Sequence, residues 1–313
     1  MLRLDEFDIV APETLAGVVD VLRSRPGAVV IAGGTDLVPK MKRGQFGPRV
    51  VVSLAKVKEL DFVDASAERL RIGALTRLRA LERSNALEPY RAAHMAAGLV
   101  ATPIIRAMAT LGGNLLQDTR CRYYDRSEFW RDAVGHCMKK EGDVCRVAPG
   151  GSRCYATFCS DLAAALVTLD ARVRLVGEGE RTIPLENVYR DDGIEYLDAR
   201  REILAEVILE PRGYASTYRK LRIRDGFDFP EAGVAVAMAG ERDALRVNVA
   251  MVGVGSTVLV YKGDTTAAEL ESLADTLMKD VRPVDTMFFS PAYRKKMARR
   301  MLIQGFDELL ATR

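Results

Sequence analysis

The sequence predicts an α+β fold made of a small strand–helix–strand unit, a larger mixed unit and a small C-terminal α+β domain. Three observations carry this. Short β-branched runs, A-V-V-I-A at residues 28–32 and V-V-V-S-L at 50–54, accompany helical periodicity near the N-terminus. A polar, cysteine-bearing stretch between Gln117 and Ser160 looks spliced into the middle of another motif. From about residue 213, alternating strand patterns lead into two closing helices. The units divide at residues 1–56, 57–212 and 213–313, with the insertion at about 118–159 of the larger one.

In order along the chain, Leu15, Val18, Val19 and Leu22 recur at helical spacing after Pro12, and Gly27 ends that helix. The run at 28–32 is a short buried strand entering a Gly-Gly turn, followed by a helix at 37–43 and the strand at 50–54. A hairpin is expected with strands near 61–64 and 69–73, then helices near 76–85 and 89–99. Leu162, Ala165, Leu166 and Leu169 mark a helix face, and residues 171–176 alternate as a half-exposed strand. Strands near 215–221, 233–239 and 245–251 precede helices at 266–278 and 291–304.

Composition excludes several classes. With 48% apolar and 28% charged residues the 313-residue chain reads as soluble and globular, long enough for two or three packed units. A net charge of +3 without a basic stripe gives no reason to expect a nucleic-acid partner. The opening M-L-R-L-D-E-F-D does not suit a signal peptide, and no run reaches the roughly 18 apolar residues of a membrane span. Five cysteines, an odd number, argue for reduced or metal-bound thiols in the cytoplasm rather than a disulfide framework.

Two glycine turns suggest a ligand. In I-A-G-G-T-D-L, residues 31–37, two glycines follow a strand and precede a helix, so backbone N–H groups can approach a phosphate closely. Thr35 adds a hydroxyl, whereas Asp36 would repel a phosphate and is expected to cap the helix or meet a sugar hydroxyl. A tight turn without a ligand explains the same residues, and neither a G-x-G-x-x-G nor a P-loop spacing is present. The second turn carries Thr110, Gly112, Gly113 and Asn114, after a segment that Pro103 keeps from being one continuous helix. Asp161 opens a later helix and could cap it.

Together, I-A-G-G-T-D-L, A-T-L-G-G-N-L-L-Q and S-D-L-A-A-A-L-V-T-L-D-A resemble the flavoprotein (medium) subunits of the xanthine dehydrogenase and carbon monoxide dehydrogenase family, the molybdenum hydroxylases. V-A-M-V-G-V-G and F-F-S-P-A-Y-R-K-K-M-A-R-R-M-L are similar to that family's terminal domain, so the resemblance spans nearly the whole chain. It implies a two-part FAD-binding domain. Ile31, Ala32, Gly33, Gly34, Thr35, Asp36 and Leu37 would line the FAD diphosphate, and Thr110, Gly113 and Asn114 would contact FAD from the second turn. Asp161 would bind the flavin's polyol chain, with Ala101 and Lys220 as further contacts. For Lys220, a solvated basic strand edge is the competing reading.

Most such subunits join the second turn to S-D by a short link; here over forty residues intervene, spaced C-x15-C-x7-C-x8-C-x4-C. The spacing fits neither a zinc-finger pair nor a compact ferredoxin run. An iron–sulfur cluster leads, ahead of structural zinc and of unligated thiols. Four thiolates suit a 4Fe–4S cluster, and a redox centre beside a flavin site has a partner for electron exchange. Cys121, Cys137, Cys145 and Cys154 are the expected ligands, leaving Cys159 as a core or flavin-adjacent thiol. His136, which could replace one ligand, is expected on the surface, as are Lys139, Lys140, Arg146 and Arg153, which could alternatively offset cluster charge.

C-R-Y-Y-D-R-S-E-F-W-R, G-H-C-M-K-K-E-G-D-V-C and R-C-Y-A-T resemble most closely the insertion of one branch, the β subunits of 4-hydroxybenzoyl-CoA reductases, which carry an additional 4Fe–4S cluster there. The resemblance implies a dimer of heterotrimers with a molybdenum-binding large subunit and a small subunit holding two 2Fe–2S clusters. Electrons from reduced ferredoxin would enter at the 4Fe–4S cluster and reach molybdenum through FAD and the 2Fe–2S centres. Other expectations are an aldehyde or N-heterocycle dehydrogenase of the same family and, from a different class, a zinc-stabilised scaffold. No catalytic acid, base or nucleophile is expected in this chain, whose two histidines are His94 and His136.

Overall fold

The computed structural model describes residues 3–197 and 202–312. Its N-terminal unit is a three-stranded parallel sheet of β1 (Asp8–Val10), β3 (Val50–Ser53) and β2 (Val29–Ile31), in that spatial order. Helix α1 (Leu15–Ser24), capped by the Thr14 side chain, covers it through Leu15 and Val18. Helix α2 (Leu37–Lys42) follows the first glycine turn. β1 lies beyond the expected elements; three residues with two exposed are too few to show periodicity.

The larger unit is an antiparallel five-stranded sheet ordered β4 (Val63–Ala65), β5 (Leu70–Gly73), β8 (Ile203–Leu209), β6 (Arg172–Val176), β7 (Glu180–Pro184). Its helices are α3 (Leu78–Glu82), α4 (Arg91–Leu99), α5 (Pro103–Met108), α6 (Leu111–Leu115), α7 (Glu128–Val134) and α8 (Asp161–Thr168). The two helices expected at 76–85 and 89–99 are shorter than their patterns, because a 3-10 segment, Asn85–Tyr90, containing Pro89 separates them. All eight residues of α8 are buried, as a helix that is apolar on every side requires.

The last unit is an antiparallel sheet ordered β12 (Leu259–Thr265), β11 (Ala244–Val252), β10 (Ala232–Glu241), β9 (Ala215–Leu221). One face, with Ala235, Ala237 and Ala250, joins the core around α4 and α8; the other, with Val234, Val236 and Val249, packs on α9 (Leu270–Leu277) and α10 (Pro291–Ala311). Helix α10 starts at its expected Ser290–Pro291 boundary and runs seven residues past the expected end at 304 (311 − 304), its last turns held by buried Phe306 and Leu309. Among the described residues no helix is long and apolar enough to cross a membrane.

Candidate functional site

The two glycine turns meet. A Cβ on Gly33 would fall 2.0 Å from the Met108 carbonyl oxygen at the end of α5, so only glycine allows this approach. That carbonyl also accepts from Arg77. Among the described residues, the backbone N–H groups of Ala32, Gly33, Gly34, Thr35 and Asp36 donate to no protein acceptor. Five open donors on one turn suit a diphosphate, which is the chemistry FAD would bring to them. By contrast, the second turn has spent its donors. Leu111 donates to Thr76, Gly112 to Ala74 and Gly113 to the Thr110 hydroxyl at 3.2 Å. Its role is to brace the first turn and to leave Gly113 exposed and the Gln117 side-chain nitrogen buried without a partner.

From the second turn a polar chain leads to α8 and β9. Ser160 donates to the Asn114 side-chain oxygen at 2.8 Å and caps α8 by accepting from Ala163 at 3.1 Å. The capping expected of Asp161 therefore falls to Ser160. Asp161 is the first helical residue, with its carboxylate turned to Tyr218 (2.7 Å) and Lys220 (3.0 Å). Burial pushes the Asp161 carboxyl up, against the pull of the Lys220 ammonium and the Tyr218 hydroxyl. The Lys220 side chain is 2% exposed, which corrects the solvated-edge reading. It also donates to the Leu99 carbonyl at 3.0 Å, two residues before Ala101.

Ala101 stands at φ 45°, a left-handed conformation that costs a non-glycine residue roughly 1–2 kcal/mol. Arg106 holds it there by donating to the Val100 and Ala101 carbonyls at 2.8 and 3.0 Å, while clamping Glu82 through two further bonds. Arg106 escaped sequence reading because a lone arginine in a short helix carries no pattern. Ile31, Ala32 and Leu37 flank the first turn and are half-buried, and Thr35 is exposed. Asp36 precedes α2 but makes no side-chain cap; it accepts from Arg120 at 3.1 Å and lies 3.5 Å from Lys40. The expected cap is lost to these stronger charged partners.

The insertion is pinned at its base by reciprocal backbone bonds between Arg120 and Thr157, and to the end of α2 by Gln45 and Arg131. Cys121, Cys137, Cys145 and Cys154 line one cavity within it, together with Tyr124, Lys139 and Arg146. Cys121 and Cys154 each accept from a backbone N–H two residues on, at 3.4 and 3.5 Å. Burial pushes both thiols up to about 11, with the neighbouring cysteines adding to the effect. A bound metal reverses that preference by deprotonating coordinating thiols outright. Gly193 packs so closely that a Cβ would lie 2.6 Å from the Cys154 sulfur.

Cys159 lies outside this group, buried beside Asp161 and Tyr218, its thiol pushed up to about 12 by burial. His136 is exposed and pairs with Asp132 at 2.8 Å, and His94 bonds the Glu82 carbonyl oxygen at 2.9 Å. Lys139, expected in a solvated loop, is instead 6% exposed along its side chain. Among the described residues no three His, Cys, Asp or Glu side chains converge closely enough to hold a single metal ion.

Residues 5–211 match the family model described as the FAD binding domain in molybdopterin dehydrogenase. The chain is 31% identical over 307 residues to the aldehyde oxidoreductase FAD-binding subunit PaoB of Escherichia coli strain K12, covering 90% of this chain and 92% of that one. It is 25% identical over 329 residues to the nicotinate dehydrogenase FAD-subunit of Eubacterium barkeri, with 98% of each covered. Its fold matches that of a carbon monoxide dehydrogenase chain from Hydrogenophaga pseudoflava at TM-score 0.78, over 99% of both chains and with 21% sequence identity.

Proposed function

The chain belongs to the family of FAD-binding domains of molybdopterin dehydrogenases, and from that premise we propose that it carries both FAD and a 4Fe–4S cluster as the electron-transfer subunit of a molybdenum enzyme. Membership makes it a flavin-binding oxidoreductase subunit and displaces the zinc-scaffold alternative. The observation that carries the cluster is the sorting of five cysteines into four that share a cavity and one, Cys159, that does not. That sorting agrees with the ligand set Cys121, Cys137, Cys145 and Cys154.

When bound, the two groups supply the one- and two-electron redox chemistry; the chain supplies binding, spacing and tuning. The open N–H groups of residues 32–36 would hold the FAD diphosphate, with Thr35 beside them. Asp161, kept in place by Tyr218 and Lys220, would meet the polyol chain. Ala101, held in its left-handed conformation by Arg106, and the Thr110–Asn114 turn would bound the same ligand.

The likeness of the insertion supports 4-hydroxybenzoyl-CoA reductase: reductive dehydroxylation of 4-hydroxybenzoyl-CoA to benzoyl-CoA, with reduced ferredoxin as donor. A molybdenum-binding large subunit and a 2Fe–2S small subunit would complete a dimer of heterotrimers. Aldehyde oxidation is the second reading, favoured by the 31% identity to the aldehyde oxidoreductase subunit. Anaerobic purification with iron, sulfide and flavin measured together tests the first claim: about four iron and four sulfide per FAD are expected. Zinc without flavin would overturn it. Assay of the complex with 4-hydroxybenzoyl-CoA and with aldehydes then separates the two substrates.

A further inference from the structure

Between the first glycine turn and the cysteine cavity runs a chain of paired charges, buried at Lys40, Asp118 and Lys139, that electron transfer alone does not require. Lys40, on α2 and 1% exposed, lies 2.6 Å from one oxygen of Asp118. Lys139 lies 2.6 Å from the other oxygen and donates to the Gly193 carbonyl, also at 2.6 Å, and to the Thr119 hydroxyl. At the glycine end, Asp36 lies 3.5 Å from Lys40 and 3.1 Å from Arg120, which also pairs with Asp125 at 3.2 Å. The ring of Tyr124 stands 5.9 Å from the Lys40 ammonium and 5.0 Å from that of Lys139.

Three cations and three carboxylates balance across this network, but its members do not face the cavity equally. Lys139 lines the cavity; Asp118, Asp36 and Asp125 do not. The cavity therefore meets the cationic end of a neutral assembly. Because Lys139 is nearly buried and held by three acceptors, its charge is fixed in position and weakly screened, unlike that of a surface lysine.

We propose that Lys139, positioned by Asp118, is a potential-setting residue that raises the reduction potential of the 4Fe–4S cluster. The inference rests on the cluster reading above. A cluster held by four thiolates gains one negative charge when it takes up one electron from reduced flavin or a low-potential iron–sulfur protein. A fixed cation at the cavity wall stabilises that reduced form more than the oxidised one. The counter-ion Asp118 moderates the effect and prevents Lys139 from turning away.

The test is a redox titration of the anaerobically purified holoenzyme with dithionite, following the cluster by electron paramagnetic resonance. Lys139→Met should lower the reduced-to-oxidised ratio at a fixed potential about tenfold, a shift of about 59 mV for a one-electron couple. Asp118→Asn should move it the opposite way, and FAD and iron content should stay at wild-type levels in both. Absence of a shift, or shifts of the same sign, would sink the proposal. Loss of iron from both variants would do so too, since it would reduce the bridge to scaffolding. Wild-type enzyme without iron and sulfide would instead overturn the cluster reading on which the proposal stands.

Discussion

The ammonium of Lys220 on β9 lies 3.0 Å from the carboxylate of Asp161 on α8, with the two side chains 2% and 3% exposed. The pair ties the C-terminal sheet to the helix that follows the cysteine segment, and Tyr218 and the Leu99 carbonyl complete it. Removing one partner of such a pair leaves the other charge stranded in the interior.

Lys220→Met should therefore lower unfolding free energy by about 3–5 kcal/mol and weaken FAD retention. The double variant Asp161→Asn/Lys220→Met should recover part of the stability but not the flavin. Urea unfolding with flavin quantified beforehand checks both; equal stability of the single and double variants would contradict the pairing.

Gly33→Ala places a methyl group where the Met108 carbonyl oxygen lies. The two turns must separate, at a cost of about 1–3 kcal/mol of the kind that overpacking brings. Substoichiometric FAD is expected in the purified variant, with the secondary structure retained. A full flavin complement would show that the contact is not needed for the ligand.

Cys137→Ser and Cys159→Ser should part company. The first should lose most iron while keeping much of its FAD, because the cavity is separate from the glycine turns. The second should keep iron, since Cys159 lies outside the cavity group. Iron loss from Cys159→Ser and not from Cys137→Ser would reverse the ligand assignment.

Two carboxyls link stability to acid. The Arg106 guanidinium bonded to Glu82 holds its carboxyl below the usual range. At Asp118, burial pushes upward, but Lys139 and Lys40 prevail and hold it low. Carboxyls depressed in the folded state contribute stability that is present above their unfolded values near 4 and lost as pH falls through the folded ones. The thermal midpoint should thus fall steeply below about pH 4, and Arg106→Met should flatten that limb. An unchanged acid limb in the variant would rule out the Glu82 contribution.

Much of this molecule was legible in its sequence. The β-branched runs at 29–31 and 50–53 became parallel strands, though only the middle of β3 is buried and the expected buried strand at 29–31 is half-buried throughout. The hairpin, α8, the strands β9–β11 and the start of α10 followed from periodicity and capping residues in the same way. The cysteine spacing and the glycine turns located the segments where ligands were expected. Strands β7, β8 and β12 were not anticipated; β8 forms through pairing with the distant β5, which a local window does not contain, whereas β7 and β12 are edge strands paired with their sequence neighbours β6 and β11.

Tertiary structure decided what the polar residues do. Asp36 and Asp161 read as caps, but folding brought Arg120 and Lys220 to them, and a charged partner outweighs a neutral capping bond. Lys139 read as solvated until Asp118 and the Gly193 carbonyl enclosed it. Residue type and spacing determined which groups this chain possesses. Which of them meet, and with what charge beside them, was settled by contacts 20 to more than 80 residues apart in sequence, such as Lys40 with Asp118 and Arg120 with Asp36. A local pattern cannot encode such contacts, because burial and Coulomb energy depend on distance in space.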